Sequence, residues 1–158
     1  MNNNYINFYN NLVNLTRNKI LYEQFIKQDT FSDRLIIFLF HFAFFLNVYK
    51  SQTRKKILQE LFDYTFKQLE LSLRELGYGD ASINKKMKVY INVFYSILDK
   101  IDQWDEKNMI DKNKIFTEFI ELKENNSIFP EYFNNYKVYL RKNTFNSIIK
   151  GVIKINLK

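Results

Sequence analysis

The stretch LIIFLFHFAFFLNVY, residues 35–49, decides the fold of this chain, because it is apolar almost without interruption. A helix that crosses a membrane needs about 20 such residues. This run is shorter, contains His41 in its middle, and is bracketed by Arg34 and Lys50. The sequence therefore favours a buried central helix of a soluble bundle over a membrane span.

The segment that follows has the periodicity of an amphipathic helix. Apolar residues recur at steps of three and four over residues 52–76, as on one face of an α-helix. Asp63 and Arg74 belong to the opposite, charged face, and Gly77 follows where a C-capping glycine is expected. The stripe that this pattern predicts as buried consists of Leu58, Leu61, Phe62, Thr65, Phe66, Leu69, Leu73 and Leu76.

A second amphipathic helix is predicted to begin near Asp80 or Ser82, because either side chain can accept a hydrogen bond in a first helical turn. Trp104 closes this helix, and a polar run follows it. The predicted inward face consists of Ile83, Met87, Tyr90, Ile91, Phe94, Leu98 and Ile101.

The two ends of the chain give weaker patterns. Residues 5–27 predict one long or two short helices, residues 115–122 predict another, and residues 131–142 predict a short one. The tail from Lys150 alternates too weakly for an assignment. We therefore predict an all-α fold: one helical domain over residues 1–158, a bundle around a buried, aromatic-rich central helix, with C-terminal helices within residues 108–142 and an unassigned tail at 143–158.

Composition supports one globular domain. With 158 residues the chain is long enough for one core and too short for two domains, and its three glycines and one proline leave few breaks. The formal net charge of +7 has two readings that stay open. One is the codon bias of an AT-rich genome; the other is a basic surface for RNA phosphates or anionic lipid headgroups.

The sequence offers few parts for catalysis. It has no cysteine, which excludes disulfides and thiolate chemistry, and His41 is its only histidine. A lone histidine among phenylalanines is more often a buried hydrogen-bonding residue than a catalytic one. No metal-binding or phosphate-binding motif is present. We predict no enzyme, no cofactor and no metal site, and the absence of a signal peptide pattern at the start predicts a cytoplasmic protein.

Three lysines, Lys85, Lys86 and Lys88, lie near the start of the predicted second helix. Positive charge near a helix N-terminus opposes the helix dipole. Lysines and free N–H groups can converge there on one phosphate or carboxylate. The alternative is a solvated helix face, and the sequence leaves both interpretations open.

Several ordered motifs, taken together, resemble the ubiquinol–cytochrome c chaperone family. The resemblance covers about residues 10–104 well and the remainder loosely. Tyr78 replaces the usual Val or Leu, and Ser32 or Asp33 stands where a glycine is usual. The shared elements are Asp29-Thr30, Asp33-Arg34, His41, Leu61-Phe62-Asp63, Leu73-Arg74-Glu75, Gly77, Gly79-Asp80, Lys85-Lys86-Met87-Lys88 and Phe94-Tyr95.

The resemblance implies a non-enzymatic assembly factor. Mitochondrial relatives bind newly made cytochrome b near the ribosome exit, work with a small partner protein, and support assembly of respiratory complex III. The implied clients are therefore cytochrome b or a complex III assembly intermediate, held by a basic and aromatic surface. The implied contacts are the ribosome exit region, an anionic membrane surface and a small protein partner.

The family motifs also suggest site residues and a location. A ribosome- or RNA-binding accessory protein is the alternative function, motivated by the positive charge. We expect a cytoplasmic protein that is peripheral at the inner face of the cytoplasmic membrane. The expected partner-binding residues are Lys85, Lys86, Lys88, Asp63, Arg74 and Asp80, and the expected structural or client-groove residues are Arg34, His41, Gly77 and Gly79.

Overall fold

The central apolar stretch forms one long helix, and six more α-helices pack around it or extend the bundle. The computed structural model describes residues 2–19, 21–22, 26–27, 30–123, 128–151 and 153. Over these residues the elements are α1 (Asn2–Thr16), α2 (Phe31–Tyr49), α3 (Lys55–Glu75), α4 (Asp80–Ile101), a 3₁₀ turn (Trp104–Glu106), α5 (Met109–Thr117), α6 (Ile128–Arg141) and α7 (Phe145–Lys150). The predicted all-α architecture is confirmed.

Helix α2 is the centre of the bundle. It begins at a capping box in which the Thr30 hydroxyl accepts the Asp33 N–H at 3.1 Å. The Asp33 carboxylate accepts the Thr30 N–H in return, at 3.3 Å. Every residue from 37 to 45 is buried. In the part of the chain that the structure describes, α2 alone has the length and apolarity of a membrane span, and most of it is enclosed by other helices.

The other helices form layers around α2. Helices α1, α4 and α6 pack directly on it, whereas α3 contacts α1 and α4 and forms an outer antiparallel pair with α4. Helix α7 closes on α1, where the side-chain amides of Asn7 and Asn11 donate to the carbonyls of Ile149 at 2.8 Å and Gly151 at 2.7 Å. The tail segment without an assignment from sequence thus contains a short packed helix.

Helix ends differ from the predictions in three places. Helix α4 begins at Asp80, but its N-cap is Gly79, and neither Asp80 nor Ser82 supplies a capping side chain. Leu76 was predicted to be buried but is 57% exposed, because it lies beyond the last residue of α3. Helix α5 ends at Thr117, and Leu122 instead forms an isolated bridge with Ile26.

Candidate partner-binding site

The turn between α3 and α4 closes α3 with a Schellman motif. The Gly77 N–H donates to the Arg74 carbonyl at 3.0 Å and the Tyr78 N–H donates to the Leu73 carbonyl at 3.3 Å. Gly77 has a φ of +96°, a left-handed conformation that favours glycine, so its predicted capping role is confirmed. Gly79 has a φ of −79° and a ψ of 166°, which any residue adopts.

The three lysines lie further along α4 than the sequence suggested. Because α4 starts at Asp80, they occupy its second and third turns, beyond the free N–H groups of the first turn. Successive residues of a helix are about 100° apart, so Lys86 points away from Lys88. The Lys86 ammonium lies over the Tyr78 ring, 4.6 Å from its centroid, whereas Lys85 and Lys88 are exposed. Lys85 and Lys88 lie about 60° apart on one face of α4 and Lys86 lies on the side of Tyr78, so the three lysines do not converge together on one anion.

Arg74 and Asp80 are paired with each other across the turn. The Arg74 guanidinium donates to the Asp80 carboxylate and, at 3.3 Å, to Glu70, which Lys67 also contacts at 3.1 Å. Hydrogen bonds from Lys67 and then Arg74 lower the pKa of the Glu70 carboxyl, and the bond to Asp80 raises the pKa of Arg74. All four charged groups are at the surface, where ion pairs contribute little to stability. The main effect of this network is therefore to hold the conformation of the turn between α3 and α4.

Asp63 and Lys88 line one groove between α3 and α4. This α3–α4 groove encloses about 510 Å³. Asp63 is exposed and accepts a hydrogen bond from the Gln59 amide at 2.9 Å. The apolar lining consists of Phe62, Phe66, Met87 and Ile91. Two predicted partner residues from different helices are thus brought to one surface.

A larger groove lies between α1, the start of α2 and the end of α3. This α1–α3 groove encloses about 840 Å³. Residues 31–35 form one wall and residues 72–76 contribute to another, so two segments that carry the family resemblance meet here. Of the predicted site residues, it contains Arg34. The lining side chains that define it are Tyr9, Val13, Arg17, Phe31, Arg34, Leu35, Phe38, Ser72, Glu75 and Leu76.

The α1–α3 groove combines apolar and basic groups. Phe31 is 44% exposed and Leu76 is 57% exposed, which is high for such large apolar side chains. Arg17 and Arg34 lie in the same groove, and the Arg34 guanidinium stands 5.0 Å from the centroid of the Tyr22 ring. The surface is therefore suited to an apolar segment with polar or acidic flanks.

Sequence reasoning missed most of this groove. Tyr9 lies on α1 and Arg17 directly follows it, and no local pattern reveals how α1 packs against α3. The Tyr9 hydroxyl lies 3.4 Å from the Ser72 hydroxyl, and burial raises the pKa of Tyr9. The exposure of Leu76 could have been predicted from the sequence, because a leucine between the end of a helix and its capping glycine has little helix surface left to cover it.

His41 lies in the interior, away from both grooves. Its Nδ1 is 2.8 Å from the Ile37 carbonyl, so Nδ1 carries the proton and donates, and its Nε2 accepts from the Tyr132 hydroxyl at 2.5 Å. Burial lowers the pKa of His41 to about 4. This arrangement fits the structural interpretation of His41, as a neutral hydrogen-bonding link between α2 and α6.

Acidic and histidine side chains form no metal cluster in the described ranges, where no group of three or more His, Asp or Glu could hold a metal ion. The two grooves present apolar side chains, hydrogen-bonding groups and charged groups, which are the means of recognising a partner. Of these two grooves, the α1–α3 groove is the larger.

In comparison with known proteins, the chain matches one family model and has a fold similar to that of a solved structure. The family model described as ubiquinol-cytochrome C chaperone matches residues 23–115, which include α2, α3 and α4. The crystal structure of the Cbp3 homolog from Brucella abortus has a similar fold, with a TM-score of 0.78 and 24% sequence identity over 99% of this chain and 91% of that chain. No curated protein matches the sequence significantly.

Proposed function

This chain belongs to the ubiquinol–cytochrome c chaperone family, and from this premise we propose that it holds newly made cytochrome b or an early complex III assembly intermediate. We place the client in the α1–α3 groove, where the two family-like segments meet. The proposed action is non-enzymatic: the groove covers apolar client surface until the next assembly step.

The observation that carries this proposal is the exposure of apolar side chains in that groove. Phe31 and Leu76 both keep more than two fifths of their surface in solvent. Cytochrome b is a membrane protein, so its apolar segments need cover before they are inserted. Burying one leucine or phenylalanine side chain contributes about 1.5–3 kcal/mol, which is enough for transient holding by a few contacts.

Charge gives the groove a preference among apolar segments. Arg17 presents its guanidinium group on the α1 side, Arg34 stands over the Tyr22 ring on the α2 side, and Glu75 lies on the α3 side. A guanidinium can bind a carboxylate with two parallel hydrogen bonds. We therefore expect the bound segment to carry an acidic residue or free carbonyl groups beside its apolar part.

The α4 side of the molecule is the proposed place for further partners. Lys85 and Lys88 are exposed there, and Lys88 and Asp63 line the α3–α4 groove. We propose that this side contacts the ribosome exit region and a small protein partner, as the family resemblance implies. Affinity purification of the tagged chain during active synthesis of respiratory proteins would recover both with cytochrome b.

The decisive experiment is complementation with a matched pair of variants. After deletion of the gene, the host would be given the wild-type chain, Leu76→Asp in the groove, or Ile110→Asp on α5, where Ile110 is 70% exposed and outside the groove. We expect wild type and Ile110→Asp to restore cytochrome b and ubiquinol–cytochrome c reductase activity. Leu76→Asp should lower client affinity by about 10-fold or more, because it places a charge against apolar client surface.

Two results would contradict the proposal. Normal cytochrome b and reductase activity in the deletion strain would remove complex III from the function. Equal rescue by Leu76→Asp and Ile110→Asp would remove the α1–α3 groove as the client site. Circular dichroism of both purified variants would show that each remains folded.

The alternative function is a ribosome- or RNA-binding accessory protein, and the observation that favours it is the net charge of +7 with exposed lysines along α4. RNA binding by phosphate contacts falls steeply with salt, because each contact releases counterions. Tight, salt-sensitive RNA binding together with a normal complex III in the deletion strain would favour this alternative over the chaperone role for cytochrome b.

A further inference from the structure

The end of the α3–α4 hairpin, residues 74–82, is exposed at every position. Leu76 is 57% exposed and Tyr78 is 40% exposed. We propose that this tip docks on an anionic lipid bilayer, with Leu76 and Tyr78 in the headgroup region and the α4 lysines on lipid phosphates. This inference goes beyond the proposed function, because it does not depend on which client the groove holds.

The arrangement of the lysines favours a planar array of anions over a single one. Lys85 lies about 7.5 Å along the helix axis from Asp80, and Lys88 about 12 Å, so both are within a few turns of the tip. Lys85 and Lys88 share one face of α4, whereas Lys86 is directed towards Tyr78. A tip that enters the headgroup region end-on would bring these ammonium groups near lipid phosphates, with the flexible lysine stems extended from α4 towards the bilayer.

The remaining charges at the tip leave a positive balance. Arg74 and Asp80 neutralise each other, as do Lys67 and Glu70. In the described part of the tip, Glu75 is the carboxylate without an ion pair, and it opposes the three α4 lysines. Exposed lysines near an anionic leaflet are attracted to it, and the effect decreases within a Debye length.

Part of the tip backbone is paired internally, and the first-turn N–H groups of α4, which no side chain caps, can donate to lipid phosphates. The N–H groups of Gly77 and Tyr78 are bound to the carbonyls at the end of α3, and the Ile83 N–H donates to the Gly79 carbonyl at 2.9 Å. In the headgroup region these donors meet phosphate acceptors, whereas an unpaired donor in the hydrocarbon core would be costly. Tyrosine is also a residue that favours the interface between lipid and water. The tip thus meets the backbone, side-chain and charge requirements of an interfacial anchor.

The first experiment measures depth at the tip. Trp104 is the only tryptophan of the sequence and is fully buried, so its emission should not respond to lipid. Tyr78→Trp adds a second indole at the tip. With vesicles of phosphatidylcholine and phosphatidylglycerol we expect a blue shift and stronger emission from Tyr78→Trp, and no change in the wild-type chain. No response of Tyr78→Trp to these vesicles would overturn the docking.

The second experiment tests the lysines by vesicle sedimentation. Charge reversal of Lys85, Lys86 and Lys88 to glutamate should reduce binding to the anionic vesicles by about 100-fold, since each lysine contributes several-fold. The matched control reverses Lys55, Lys56 and Lys142, which are exposed and lie at the other end of the bundle, where α3 begins and α6 ends. We expect this control variant to lose much less of its binding to the anionic vesicles.

Three outcomes would overturn the proposal. The first is an equal loss of vesicle binding in the two triple variants. The second is binding of the wild-type chain to vesicles of phosphatidylcholine alone that is as tight as its binding to the anionic vesicles. The third is a wild-type chain that retards RNA in a gel but does not bind vesicles. Leu76 stays unchanged in these experiments because it also lines the α1–α3 groove. Loss of vesicle binding with client binding retained in detergent would therefore separate the tip from the groove.

Discussion

The interior between α2 and α6 and the outer α3–α4 hairpin use similar residues in opposite ways. In the interior, Phe44 and Phe133 stack at 4.9 Å and 17°, and both are fully buried. On the hairpin, Phe62 and Tyr95 stack at 5.9 Å and 18°, but Tyr95 is 55% exposed. The same ring geometry thus contributes to the core in one place and to the surface in the other.

Polar groups show the same contrast. In the interior each buried hydroxyl and ring nitrogen of the α2–α6 contact has a fixed partner: the Tyr49 hydroxyl donates to the Leu140 carbonyl at 2.5 Å and the Tyr136 hydroxyl to the His41 carbonyl at 3.1 Å. At the tip, Arg74 and Asp80 form an exposed pair. The comparison teaches that stability is concentrated around α2, whereas the hairpin end can change partners at little cost to the fold.

The largest expected effect is the loss of stability caused by a side-chain truncation in the interior. Phe133→Ala removes a ring that packs on Phe44 and, at 5.3 Å, on Phe116, and should lower the free energy of unfolding by about 3–5 kcal/mol. Phe31→Ala, at a half-exposed position of the α1–α3 groove, should cost less than about 1 kcal/mol. Urea unfolding of both variants measures the difference, and similar losses would contradict the contrast between the two regions.

The next effect is a pH dependence that arises in the interior. His41 has a pKa of about 4 in the folded chain and an ordinary value of 6.5, so between these pH values the unfolded chain binds more protons. Stability is therefore full above pH 6.5 and decreases as the pH falls towards 4, by up to about 3 kcal/mol. Urea midpoints across this range would show the slope.

The control for the pH effect is His41→Gln, which keeps a hydrogen-bonding side chain but does not titrate. This variant should be less stable than wild type at neutral pH and should lose the part of the slope that His41 causes. An unchanged slope between pH 6.5 and pH 4 would mean that the stability does not depend on a neutral, buried His41.

A smaller effect is expected at the hairpin turn. Gly77→Ala forces an alanine into a φ of +96° and should cost about 1–2 kcal/mol, although no atom lies within 4 Å of the added Cβ. Gly79→Ala is the matched control, because its φ is negative and its Cβ position is equally open. It should change stability by less than about 0.5 kcal/mol. Thermal unfolding of the pair isolates the backbone strain, and equal losses would contradict it.

The smallest expected effect is a gain in stability from a substitution at the same turn. Gly79 is the N-cap of α4 but has no side chain to accept an N–H, and its backbone already has the extended conformation of a cap. Gly79→Ser should therefore raise stability by a few tenths of a kcal/mol. A measured loss would indicate that the Gly79 backbone cannot hold the serine in its capping position.

Periodicity was a good guide where one face of a helix meets one core. Between Leu61 and Leu73 the predicted stripe is buried except at Phe62, which is partly exposed in the α3–α4 groove, and the nearly continuous apolar run of α2 is enclosed as predicted. Predictions were poorest at helix ends, because capping depends on the path of the chain outside the helix. Leu76 and Gly79 are the examples.

The candidate site was predicted only in part. The motifs placed Arg34 and the α4 lysines among the site residues, but they gave no indication that Phe31 and Leu76 share a groove with Tyr9. These residues are far apart in the sequence, and their meeting depends on how α1 and α3 pack across the start of α2. Side-chain periodicity within one helix carries no information about that crossing.

By itself the sequence determined the helical class, the central position of α2 and the family, because these depend on local periodicity, on the total apolar content and on ordered motifs. Only the tertiary structure decided that His41 is bound within the core, that Lys86 lies over the Tyr78 ring, and that α1, α2 and α3 enclose a groove. These features depend on contacts between segments distant in sequence, and such contacts form only when the helices pack.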